Sequence, residues 1–258
     1  MTLHYDGHRF LGWQLQPRGR TVQGELEHAL FRLTGERRRV TGSGRTDRGV
    51  HATGQVAAVT LPPRWADERE LRRGLNALLP DDIWVEELRR VPLPFHPRFH
   101  AVRRTYLYRI GLVARAASPF HHRWCWALDD PLDIDLLHRS AAFLPGNHPF
   151  GSFAKAGQEK RGERCMVREA AWEPWEETGL TFRITANRFL HHMVRYLVGT
   201  MVDVARRRRP PDDVPGLLEG RDSHLTTSPP APPQGLFLAR VDYGRSPLPD
   251  GEDAPEGS

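Results

Sequence analysis

Gly42-Ser43-Gly44-Arg45-Thr46-Asp47-Arg48-Gly49-Val50-His51-Ala52 is the stretch on which the reading of this chain turns. Glycines at 42, 44 and 49 open the positive-φ region and let the backbone approach a neighbour closely, and the segment is too polar and glycine-rich for a helix interior. It reads as a tight loop between two strands, one through Val40 and Thr41 and a clearer one from Gln55 to Leu61. One carboxylate, Asp47, is set in it with two guanidinium groups, Arg45 and Arg48, and an imidazole, His51. Opposite charge nearby favours the ionised carboxylate, which is the form a carboxylate nucleophile needs.

Upstream, Tyr5 to Gln14 reads as the end of a strand and a glycine-punctuated loop carrying Trp13. Apolar residues at 22, 26, 29, 30 and 33 then follow helical spacing, with Thr21 as N-cap and Gly35 as stop. Downstream, Asp67 to Leu79 is a second helix closed by Pro80, and Ile83 to Val91 a strand. Strand, helix, strand, helix, strand is the alternation of an α/β layer. From Arg103 the chain alternates again, placing Tyr106, Tyr108 and Ile110 on one face and Thr105, Leu107 and Arg109 on the other. The change of texture near residue 100 sets the expected division: 1–101 as one α/β subdomain, 102–244 as a second, and 245–258, rich in proline, glycine and acid, as a disordered tail.

In the second part, Asp133 to Leu144 reads as a helix and Pro145 to Phe153 as a turn-rich loop. Lys155 to Arg164 is a basic loop. Val167 to Pro174 and Leu180 to Ala186 form a hairpin across Glu177-Thr178-Gly179. Asn187 is expected to cap a long helix from Arg188 to Arg206, with a polar stripe of Arg188, His191, His192, Arg195 and Gly199. A final strand runs from Gly235 to Tyr243.

Composition narrows the function classes. A chain of 258 residues, 39% hydrophobic, can fill an ordinary core. Thirty-seven basic residues against 32 acidic ones give a net charge of +5, and Lys155 and Lys160 are the only lysines, so the positive charge is almost all arginine. That favours an anionic partner such as nucleic acid, which guanidinium groups bind bidentately and stack upon. Cys125 and Cys165 lie far apart with no Cys-x-x-Cys pair, which argues against a zinc ribbon or a disulfide framework. With no apolar run of membrane-spanning length and no signal-peptide core at the N-terminus, a cytoplasmic protein is expected.

The central loop lacks the Lys-Ser/Thr of a Walker phosphate loop. The His-His pairs at 121/122 and 191/192 invite a metal, but neighbours on a helix diverge and no further ligand stands at the right spacing, so no metal is expected. The whole set of motifs resembles the TruA family of tRNA pseudouridine synthases. The resemblance runs through Tyr5-Asp6-Gly7, Gly12-Trp13-Gln14, the central loop, Arg104-Thr105-Tyr106-Leu107-Tyr108, Pro149-Phe150-Gly151-Ser152-Phe153, Asn187 to Arg195 and Ala231-Pro232-Pro233-Gln234-Gly235-Leu236.

That resemblance implies an α/β (α+β) pseudouridine synthase fold: two related subdomains sharing a mostly antiparallel mixed sheet, helices packed on it, and an RNA-binding cleft between them. It implies a homodimer that isomerises uridine to pseudouridine at positions 38 to 40 of the tRNA anticodon stem-loop without a cofactor. By their places in the motifs, Asp47 is the nucleophile, Tyr106 the active-site tyrosine, Arg195 the arginine paired with the aspartate, and Arg45 the group that fills the space of a flipped base. Arg48, His51, Arg104 and Arg188 are further expected RNA contacts. Arg48 departs from the family, which commonly has a small residue after the aspartate. Two other classes fit the residues alone: a non-catalytic RNA-binding protein using the same basic cleft, and a hydrolase using Asp47 with His51.

Overall fold

The computed structural model describes residues 1–155, 162–220 and 224–244. In chain order the elements are β1 (Thr2–Tyr5), α1 (Val22–Thr34), β2 (Thr41–Gly42), β3 (His51–Ala58), α2 (Glu68–Leu78), β4 (Ile83–Glu87), β5 (Arg103–Gly111), β6 (Trp126–Ala127), α3 (Ile134–Ala142), β7 (Gly146–Pro149), β8 (Arg164–Trp175), β9 (Gly179–Ala186), α4 (Met193–Ala205), α5 (Asp213–Glu219) and β10 (Leu236–Asp242). The helix starts obey local chemistry. Thr21 accepts from the Gly24 amide, Asp67 from the amides of Arg69 and Glu70, and Asp133 from that of Leu136, each satisfying donors the helix leaves open. Gly35 closes α1 at φ 73°.

The strands join one sheet in the order β4-β1-β3-β10-β5-β9-β8-β7, with β2 on β3 and β6 on β5. Every pairing is antiparallel except β10 with β3 and β5 with β6, so the sheet is the mixed, mostly antiparallel one expected. The last strand is what stitches the chain together. β10 runs parallel to β3, with Leu238 opposite Ala52, and antiparallel to β5, with Leu238 opposite Tyr106. The end of the central loop and Tyr106 therefore stand two strand spacings apart, about 10 Å, across a single residue of β10.

On one side of β10, α1 and α2 pack together and α2 lies against β4; on the other, α3 packs on α4 and β8, and α4 on β5. The buried residues form one continuous cluster, from Leu3, Leu26, Leu30 and Leu75 to Tyr108, Ile110, Phe182, Ile184 and Leu197. Cys125 and Cys165 are buried small side chains, their thiols pushed up to about 11 by burial. Among the described residues no helix is long and apolar enough to cross a membrane.

Several boundaries differ from expectation for identifiable reasons. β3 starts at His51 rather than Gln55, because Ala52 already pairs with Tyr5 and Leu238. It stops at Ala58, ahead of Pro62 and Pro63, which have no amide to give a ladder. β4 ends at Glu87 because its neighbour β1 begins at Thr2, which is already opposite Glu87. The loop expected over 145–153 contains a strand, β7, paired with β8.

The largest difference concerns α4, which starts at Met193 and not at Arg188. Asn187 caps nothing: its amide donates to Met166 O, and its Oδ1 accepts from Met166 N. The His191 carbonyl accepts from Lys155 N. With the Asn187 side chain taken by Met166 and the His191 carbonyl by Lys155, the helix does not start at 188, and His192 at φ 63° turns the chain into it. The basic loop expected over 155–164 falls largely, and the expected tail over 245–258 wholly, outside the described residues.

Candidate active site

The central loop is fastened on every side. Its Gly44 is clamped by the buried Gln55 side chain, whose Nε2 donates to Gly44 O at 2.7 Å and whose Oε1 accepts from Gly44 N at 3.2 Å. The buried Tyr5 hydroxyl lies 2.8 Å from Thr46 Oγ1. Thr46 O accepts from Trp13 N at 3.0 Å, and the Val50 amide closes a turn onto Asp47 O at 3.1 Å, with Gly49 at φ 78°. Gly12, at φ 103°, passes so near that a Cβ there would lie 2.6 Å from Thr46 O and 3.1 Å from the Asp47 carbonyl carbon. The upstream Gly12-Trp13 segment is thus the wall against which Asp47 is set, a function its sequence did not disclose.

Asp47 faces a cleft of about 820 Å³ lined by the loop, by Tyr106 and Leu236 from the sheet, by Arg98 and Phe99 at one rim, and by Asn187 to Val194 at the other. This lies within the 300–1,000 Å³ range of ordinary small-ligand pockets, so one nucleotide is the natural scale of what enters. The carboxylate is partly exposed. His191 Nε2 is 3.2 Å from its Oδ1 and, since a carboxylate only accepts, donates to it; His192 Nε2 stands 3.3 Å from Oδ2. Burial lowers the His192 pKa and favours its neutral form, with the charges of Arg195 and Lys155 adding to it and that of Asp47 opposing it.

Tyr106 is 9% exposed and meets Phe189 edge-on, ring centroids 4.8 Å apart. Burial pushes its hydroxyl up to about 12, opposed by the Arg104 charge and reinforced by that of Asp47. It is a protonated tyrosine at the cleft floor. Arg195 lies differently from expectation. Among the described residues it makes no ion pair with Asp47; its Nε donates to Ala231 O at 2.7 Å while its carbonyl accepts from Ala231 N at 2.9 Å. Burial lowers its pKa, and the Asp47 charge is the main opposing influence, so the two groups sense each other without touching.

The expected RNA contacts divide. Arg45 is exposed and lines the cleft, and Arg188, half-buried, lines the same cleft at its other rim. Arg48 is exposed but is not part of the cleft lining. His51 does not fit the expectation: its side chain is wholly buried, stacked on Phe237, with Nδ1 accepting from Gly7 N at 3.0 Å. Arg104 lines the cleft too, but its Nη2 is held by the backbone, donating to Ser43 O at 3.0 Å and Arg98 O at 2.9 Å. It is a strut tying the central loop to the cleft rim.

Asp47, His191 and His192 are also the described group whose donor atoms are close enough for a metal, all within 4.8 Å. The argument that neighbouring histidines diverge on a helix therefore fails here, because they precede the helix. Their rings lie 4.1 Å apart. His191 Nε2 donates to one oxygen of the carboxylate, and His192 Nε2 stands 3.3 Å from the other. What the sequence missed was this pair, with Gln55 as the loop clamp and Phe189 as the neighbour of Tyr106. The one signal available was the placement of both histidines between Asn187 and Arg195 in a single motif.

A family model described as tRNA pseudouridine synthase matches residues 1–100 and 141–244. The chain is 42% identical over 247 residues to the tRNA pseudouridine synthase A of Moorella thermoacetica, covering 94% of this chain and 98% of that protein. To the enzyme of the same name from Maridesulfovibrio salexigens it is 39% identical over 247 residues, 95% and 90% of the two chains. To that of Chlorobium luteolum it is 42% identical over 248 residues, 94% of each. With the family model matching 1–100, the loop of Asp47 included, and 141–244, and with relatives about 40% identical over nearly the whole chain, this chain is an isomerase that belongs to the tRNA pseudouridine synthase family.

Proposed function

We propose that the protein converts uridine to pseudouridine at positions 38 to 40 of the tRNA anticodon stem-loop, with Asp47 as nucleophile acting on a base flipped out of the stem. The observation that carries the reading is a single carboxylate at the floor of a nucleotide-sized cleft, beside a buried protonated tyrosine and beneath arginines on both rims. The reaction breaks the N1–C1′ glycosidic bond, turns the uracil, joins C1′ to C5, and moves the C5 proton away as N1 regains one; no atom is gained or lost. Asp47 attacks C1′ or C6, holding the fragment while the base turns. Tyr106 lies against the uracil, and its hydroxyl takes part in moving the C5 proton.

A stacked uridine cannot reach Asp47, and unstacking it costs about a few kcal/mol. Arg45, two residues from the nucleophile and exposed at the cleft wall, is suited to fill the vacated place with a planar guanidinium. Arg188, with Arg48 outside the cleft, is read as meeting phosphates. Arg195 acts on Asp47 through its charge. We further read 1–101 and 102–244 as subdomains, with β10 bridging them, and the working unit as a homodimer in the cytoplasm that needs no cofactor.

The test uses tRNA tritiated at uridine C5, without added metal. Wild-type protein is expected to release tritium, and an Asp47→Ala variant to bind tRNA without releasing it. Binding without release by the wild type would make the protein an RNA-binding module. Strand scission in place of release would favour a hydrolase.

A further inference from the structure

Asp47 needs something to hold its carboxylate, and the residue expected to do so, Arg195, is bonded to Ala231 instead. The groups that reach it are two adjacent histidines. Side chains one residue apart on a helix point about 100° from one another, given 3.6 residues per turn, so a helical 191–192 pair would not converge. Here they do: Nε2 of one is 3.2 Å from Oδ1 and Nε2 of the other 3.3 Å from Oδ2, each on its own oxygen of one carboxylate.

Two backbone features create the convergence. Lys155 N holds the His191 carbonyl at 3.1 Å. His192 takes φ 63°, ψ 3°, a left-handed conformation that side chains other than glycine adopt rarely and at a cost. The strain is kept at the one residue where relaxing it would carry an imidazole off Asp47. The histidines also contribute little to the core, with side chains 38% and 19% exposed.

Resting on Asp47 as the nucleophile, we propose that His191 and His192 are the positioning residues of the reaction. The His191 Nε2–H donates to one oxygen of the Asp47 carboxylate and His192 Nε2 stands against the other, so that together they fix its plane toward the cleft, while Arg195 supplies a more distant charge. His192, whose burial favours the neutral form, is suited to that task.

The experiment compares full-length wild type, H191A, the double variant H191A/H192A, the double variant H191Q/H192Q and D47A. Single-turnover tritium release is measured at saturating protein, tRNA affinity by filter binding, and folding by thermal unfolding. Glutamine keeps an N–H donor near the imidazole Nε2 without a titratable ring. The double alanine variant is expected to lose about 10²-fold in the single-turnover rate, the cost of a nucleophile displaced by ~1 Å, with tRNA affinity within about 3-fold of wild type at constant salt. H191A should fall between, and the double glutamine variant should recover most of the loss.

A double alanine variant that turns over within about 3-fold of wild type would overturn the proposal. So would a glutamine variant as slow as the alanine one, or a loss confined to affinity. Should the double alanine variant fail to fold, H191A against a single H191Q variant, made for that comparison, decides by the same criteria. If D47A itself releases tritium, the nucleophile reading fails, independently of the histidines.

Discussion

Gly12→Ala tests whether the nucleophile is set by the wall behind it. The substitution adds one methyl group, outside the cleft, at a residue that touches no substrate in this reading. That Cβ would lie 2.6 Å from Thr46 O, short by about 0.8 Å of the 3.4 Å at which ordinary contact begins, and 3.1 Å from the Asp47 carbonyl carbon. Both neighbours are backbone, so no side chain can swing away, and at φ 103° the residue cannot relax into a conformation an alanine prefers. Holding alanine there costs about 1–2 kcal/mol. At about 2–4 °C per kcal/mol for a chain of this size, the melting temperature should fall by roughly 2–8 °C.

The more informative effect is on rate. Relief of the clash moves Thr46 and Asp47 by several tenths of an ångström, and ~1 Å of misplacement costs about 100-fold. Single-turnover tritium release should therefore drop about 10- to 100-fold, while tRNA affinity at constant salt, governed by phosphate contacts, stays within about 3-fold. The assay is run well below the melting temperature of the variant, so unfolded protein does not contribute. Release at the wild-type rate from a folded G12A protein would refute the idea that the Gly12 wall fixes Asp47.

Three other outcomes follow from the geometry. Arg45→Ala should lose turnover far more than tRNA affinity; equal losses would reduce Arg45 to a phosphate contact. Tyr106 has a hydroxyl raised from 10.0 to about 12 by burial, so above pH 10 the unfolded chain gives up its proton while the native one keeps it. Its contribution to stability is whole below pH 10 and is lost as pH rises toward 12. The stability advantage of wild type over Y106F, followed by urea unfolding, should shrink by about 2–3 kcal/mol across that window; a constant difference would contradict the buried placement. Dialysis against EDTA should leave tritium release unchanged, whereas loss restored by a divalent cation would make Asp47, His191 and His192 a metal site.

How far the sequence could be read depended on how local the causes were. Helix α1 announced itself through a capping side chain and a 3.6-residue apolar period, and α2 through the proline that closes it, all confined to a dozen neighbouring residues. The β8–β9 hairpin did so through alternation on either side of a short turn. The start of α4 did not, because what prevents a helix over 187–192 is the claim made on that backbone by Met166 and Lys155, and a tertiary hydrogen bond leaves no trace in periodicity. His51 and Arg104 could not be placed for a related reason. A polar residue in a functional motif looks the same whether it meets a ligand or holds the loop that does.

The chain alone determined the motif set, the loop that carries Asp47, and the strand that carries Tyr106, since each is a property of contiguous residues. It could not determine that Leu238, far along the chain from both, would lie between those two elements, nor which side chains would reach the carboxylate. Those follow from β10 entering the sheet between β3 and β5 and from one left-handed residue, His192, and both depend on hydrogen bonds between segments far apart in sequence. The tertiary structure took Arg195 from contact with Asp47 and put His191 and His192 there instead.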